Sequence, residues 1–158
     1  MRPLIKGIIA YTALAVAGLV ALLVMVIALG MSGLQSPFPP REITQRKPYA
    51  GFVGAEYRTV SDVIAHAWND YPDKQKLLTI TLYTPPGVAN RFVSYRVPLQ
   101  RGQTVRILSA WQQLQLFGYH RYYVVSVPGA GLPEGIPIKV SMDSEGRLDP
   151  KVYAPVAK

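Results

Sequence analysis

The chain contains no cysteine. Disulfides, thiol nucleophiles, thiolate metal ligands and a lipid-bearing N-terminal cysteine are thereby excluded, and the sequence makes no demand on either redox compartment. Histidine is nearly as scarce: two residues, His66 and His120, leave little from which to build a metal site. Carboxylates are missing over a long interval, since residues 74–133 hold no Asp or Glu in 60 positions. Charge of either sign is missing from residues 7–31. No glycine-rich phosphate loop, no Gly-x-Ser-x-Gly nucleophile elbow and no internal repeat occurs. Asp143, Glu145 and Asp149 lack the spacing of an EF-hand and read as a turn. No cofactor is implied.

The uncharged run at residues 7–31 is the strongest signal present. As one helix its 25 residues extend about 37 Å, enough to cross a hydrocarbon core of about 30 Å. A cleaved signal peptide has an apolar stretch of roughly 7 to 15 residues, so the length favours a retained transmembrane anchor. Arg2 and Lys6 abut its N-terminal end, and the other end opens with uncharged residues before Arg41. That bias predicts a single-pass inner-membrane protein with a cytoplasmic tail at residues 1–6 and an extracytoplasmic, periplasmic C-terminal domain. Ala13, Ala17 and Ala21 recur every four residues with Gly18 beside them, a flat face suited to close packing against a second helix. Alanine and glycine are also simply common in membrane helices.

Residues 32–48 carry four prolines and read as an extended linker. The folded domain is expected over residues 49–153, with a short tail at 154–158. Thr59 and Asp62 resemble a capping box, and Val60, Val63, Ile64, Ala67 and Trp68 fall at helical spacing, so a helix is expected there. Residues 77–84 change to alternation, with Leu78, Ile80 and Leu82 against Thr79, Thr81 and Tyr83. Further strands are expected at residues 92–97, 104–108, 119–127 and 136–142, with a short helix at 109–117 closed by Gly118. Pro137 suggests an edge position for the strand that contains it. A turn at residues 143–146 could close a hairpin onto 147–153. The expected fold class is α+β: an N-terminal transmembrane helix, then a small antiparallel sheet of about five or six strands with one or two short helices.

Seven cations, Lys74, Lys76, Arg91, Arg96, Arg101, Arg106 and Arg121, lie in the acid-free interval and account for nearly all of the net charge of +8. Such a surface attracts anions, and arginine binds carboxylates and phosphates as a fork. Tyr83, Tyr95, Trp111, Tyr119, Tyr122 and Tyr123 share the interval, and arginine with aromatics is the composition enriched at protein interfaces. The simpler reading is a sheet kept soluble by its arginines. Within residues 118–127, Tyr119, Arg121, Tyr123, Val125 and Val127 alternate with His120, Tyr122, Val124 and Ser126. The polar near end is expected at a rim, where Tyr119, Arg121 and Tyr123 meet a partner, together with Arg91, Arg96, Arg101 and Arg106. Core tyrosines with bonded hydroxyls are an equally ordinary outcome.

Asp62 and His66, four apart on the expected helix, form half of a nucleophilic triad, but no serine context accompanies them. Three functions fit these features. The first is an accessory or scaffolding subunit of a bacterial-type cell-envelope complex, its partners other membrane or envelope proteins. The second is an independent module binding an anionic lipid head group, cell-wall polymer or nucleic acid. The third is a small membrane-tethered hydrolase, for which nothing in the residues argues specifically; a non-enzymatic protein is expected.

Overall fold

The computed structural model describes residues 11–12, 14–25, 39–69, 77–88, 93–115 and 118–156. The chain divides into two units, Met1–Phe38 and Pro39–Lys158. In the first, residues 14–25 are helical and exposed. Among the described residues no helix is long and apolar enough to cross a membrane. The single-pass anchor, and the inner-membrane and periplasmic placement that rested on it, are overturned on that finding.

The second unit is a nine-stranded sheet rather than an α+β arrangement of five or six strands. Its strands are β1 (Arg41–Glu42), β2 (Glu56–Thr59), β3 (Val63–Asn69), β4 (Leu77–Tyr83), β5 (Val93–Leu99), β6 (Thr104–Gln115), β7 (Gly118–Ser126), β8 (Ile138–Ser141) and β9 (Tyr153–Pro155), with one 3-10 turn at Tyr49–Gly51. The order is β5-β3-β4-β8-β7-β6-β2-β9, with β1 also on β6. The pair β4–β8 is parallel and every other pair antiparallel, so the sheet is mixed.

Both expected helices are strands. In β3 the same residues that suit a helix also alternate, with Val63, Ala65 and Ala67 buried on one face. Pairing with β4 on one side and β5 on the other decides for the strand. Residues 109–115 continue β6 past a register shift between Ile107 and Ser109, where Leu108 turns to solvent. β8 lies inside the sheet, not at its edge: Pro137 precedes the strand and contributes its carbonyl, which accepts from the Ile80 amide and the Thr79 hydroxyl, both at 3.0 Å. The edge proline is Pro98, in β5. Asp143 accepts from the Glu145 and Arg147 amides and builds the expected turn, but the chain beyond runs to β9 beside β2.

One face of the sheet is the core. Val63, Ala65, Ala67, Ile80, Leu82, Leu99, Val105, Ile107, Ala110, Tyr123, Val125, Ile138, Val140 and Tyr153 come from seven strands and form one buried cluster. With no second layer of regular structure among the described residues, the sheet must bend over this face to exclude water. Ile43 joins the cluster and its amide donates to the Ala110 carbonyl at 2.8 Å, so the folded unit already includes part of the expected linker. Two buried polar groups of this interior are matched. Thr59 donates to the Gln100 carbonyl at 3.1 Å and accepts from the Gln103 amide at 3.0 Å, pinning the β5–β6 turn. The Tyr123 hydroxyl donates to the Gly146 carbonyl at 2.7 Å. Gly146 has φ +81°, and a Cβ there would stand 3.0 Å from that hydroxyl and from Tyr49.

A candidate docking face for an acidic partner

The opposite, outer face carries Arg96, His66, Lys139 and His120. Strand register sets them in a transverse row: Arg96 on β5, His66 on β3, Thr81 on β4, Lys139 on β8, Val124 on β7 and Ser109 on β6. A second row on the same side holds Tyr83, then Ser141, Tyr122 and Trp111. No Asp or Glu occupies any position of β5, β3, β4, β8 or β7. The first strand carboxylates, Glu42 and Glu56, appear only beyond β6.

The side chains of β7 and β8 form a compact cluster. Lys139 stands with Nζ 4.6 Å from the centre of the Tyr122 ring, which it helps to bury to 2% exposure. His120 stacks beside Tyr122 at 5.5 Å, and its Nε2 is 3.3 Å from the Ser141 hydroxyl. Burial holds the Lys139 ammonium below its usual range, and burial followed by the nearby Lys139 charge does the same to His120. Burial pushes the Tyr122 hydroxyl up.

Toward the other end of the row, with Arg96 beyond it on the edge strand β5, stands His66, two strands from β8 across β4. This side chain is 0% exposed and neither ring nitrogen has a hydrogen-bond partner. Its ring faces Tyr83 at 5.1 Å, and the loop at residues 84–88 lies against it so closely that a Cβ on Gly87 would collide with Nε2. Gly87 has φ +75°, and its amide donates to the Thr84 carbonyl at 2.8 Å. Arg96 holds the far end of the loop, Nη2 donating to the Val88 carbonyl at 3.0 Å. Desolvation first and the Arg96 charge second lower the His66 pKa from the ordinary 6.5.

The arginines and tyrosines singled out from the sequence do not form one patch. Arg96 and Arg106 share the outer face but stand five strands apart, about 24 Å along the sheet. Arg101 sits in the β5–β6 turn, 3.2 Å from Asp62, and Arg106 faces Glu56 across β2 and β6. Tyr119 is 56% exposed at the end of the β6–β7 hairpin with the Arg121 guanidinium 5.9 Å over its ring. Tyr123 is fully buried in the core. Ala17, Gly18 and Ala21 lie on the exposed helix, and a Cβ on Gly18 would meet nothing within 4 Å. Arg91 and Ala13 lie outside the described residues.

The half-triad of Asp62 and His66 does not assemble, because Asp62 pairs with Arg101 while His66 is sealed in β3. Among the described residues no three His, Cys, Asp or Glu lie close enough to hold a metal ion. Sequence reading missed Lys139, which lies just beyond the acid-free interval, and His120 and Ser141, which only the β7–β8 register brings together. No family model matches the chain, and neither a curated protein nor a solved structure matches it.

Proposed function

We propose that the protein is a non-catalytic accessory or scaffolding subunit that docks an acidic protein surface on the outer face of its sheet. The observation that carries this reading is that Arg96 and Lys139 stand in one row on a face whose five strands hold no carboxylate. A cationic face without interspersed acids attracts negative partners and repels positive ones, which sets both encounter rate and partner choice. A nucleic acid partner is less suited to this face. Single strands need open aromatic platforms on which bases stack, whereas Tyr122 is buried beneath Lys139 and Tyr83 and Trp111 are half-buried.

The reading is tested with the full-length chain and fluorescent poly-L-glutamate, with single-stranded DNA homopolymer as competitor. Binding should weaken as salt rises. Lys139→Gln should weaken it on the order of fivefold, the scale of a contact worth about 1 kcal/mol. Salt-independent binding, or preferential binding of the DNA, would count against it.

A further inference from the structure

Among the described residues, buried side-chain atoms without a partner belong to Ser61, His66, Asn69 and Arg121, and of these four side chains only His66 is fully buried. An imidazole taken out of water without hydrogen bonds costs stability, and a buried unsatisfied polar group calls for a reason. The groups around it sharpen the point. β4 contributes Thr81 and the Tyr83 ring, β5 contributes Arg96, β8 contributes Lys139 one strand further along the row, and the loop contributes only the backbone of Gly87. Asp62, just ahead of β3, is engaged by Arg101. A proton placed on His66 therefore finds two cations in its row and no anion.

The loop itself is held lightly. One arginine bond to Val88, one turn bond at Gly87 and contact with the imidazole are its described tethers. Its exposed residues Thr84, Pro85 and Pro86 add nothing to the core.

We propose that residues 84–88 are a lid over a latent carboxylate site formed by His66 and Arg96, and that proton uptake by His66 opens it. With the lid lifted, the guanidinium of Arg96 loses its Val88 carbonyl and presents its fork outward, and the imidazolium offers two N–H donors. A side-chain carboxylate of the acidic partner then satisfies both. Linkage makes the effect reciprocal: acid favours the partner, and the bound partner favours the proton. The inference extends the docking reading above, and the two fail separately.

Two measurements on the full-length chain test it. The first is hydrogen exchange of the Gly87 amide, corrected for the intrinsic pH dependence of exchange, from about pH 7.5 down to about pH 5. Exchange should rise about tenfold as His66 takes up its proton, the response of an equilibrium coupled to one ionisation over a unit of pH. His66→Phe should abolish the rise, Gly87→Ala should give fast exchange at every pH, and His120→Gln should change neither. Should His66→Phe not fold, the surface variant Arg96→Gln, which removes the bond to Val88 together with the charge beside His66, should speed exchange at neutral pH.

The second is poly-L-glutamate binding over the same range. Affinity should rise on acidification in the parent and not in Arg96→Gln. A pH-independent Gly87 amide, or a response that follows His120, overturns the lid. A lid that opens without any gain in poly-L-glutamate affinity overturns the carboxylate site. Loss of all binding in Lys139→Gln while the Gly87 response persists leaves the lid intact and separates it from the docking face.

Discussion

On the inner face of the sheet the buried Tyr123 hydroxyl meets the Gly146 carbonyl at 2.7 Å, whereas on the outer face His66 is as fully buried and both its ring nitrogens are unmatched. The inner face is packed with aliphatic side chains from six strands, and the hydroxyls of Thr59 and Tyr123 have their partners in place. The outer face holds its polar groups in reserve, with Lys139 over an aromatic ring and His66 under a loop. Packing chemistry therefore separates a face that stabilises the fold from one that interacts. A single β-strand supplies both, because alternate residues point to opposite sides.

Substitutions on the two faces should separate stability from binding. Ile107→Ala, at a fully buried core position, should cost about 2–5 kcal/mol in urea unfolding while poly-L-glutamate affinity of the folded protein stays at the parent value. Acid should come next in effect. The pKa values of His66 and His120 are both lowered in the fold, so below about pH 6.5 the unfolded chain takes up protons that the closed fold resists. Stability should be level above that pH and decline below it, and His66→Phe should reduce the slope of unfolding free energy against pH. Tyr123→Phe should lose about 1 kcal/mol, read in the same urea titration, because it orphans the Gly146 carbonyl without opening a cavity. The smallest effect belongs to Asp62→Asn: the ion pair with Arg101 is exposed on both sides, and unfolding should shift by less than about 0.5 kcal/mol. A large loss there would break the contrast, since it would give a solvent-facing charge the weight of a core side chain.

The strands whose burial pattern is period-two and nothing else were legible. Residues 77–84 alternate without competition from a helical period, and β4 occupies Leu77–Tyr83. Residues 60–68 satisfy both periods at once, and the choice was made by partners at a distance: Ala65 pairs with Leu82 on one side and Val97 on the other. The same limit hid the docking face. Alternation over residues 136–142 puts Lys139 on the polar side of its strand, but its neighbours Thr81 and Val124 follow from the insertion of β8 between β4 and β7. Pro137 misled for a related reason, since a proline just ahead of a strand offers a carbonyl to the ladder without needing to donate. The seal on His66 depends on Gly87, 21 residues away, approaching the ring edge-on, and no local pattern announces such a contact.

The parallel pairing of β4 with β8 also has a consequence for how the chain is made. β4 meets a strand 58 residues further along, at Ile80 and Ile138, while β5-β3-β4 and the β6–β7 hairpin each pair mainly with close neighbours. A chain made only as far as Pro137 lacks the four residues of β8 that join the two halves, and leaves an unpaired edge at β4 and another at β7. A nascent chain halted before Ile138 should therefore pair with other nascent chains through those edges, and release of a few more residues should bring that to an end.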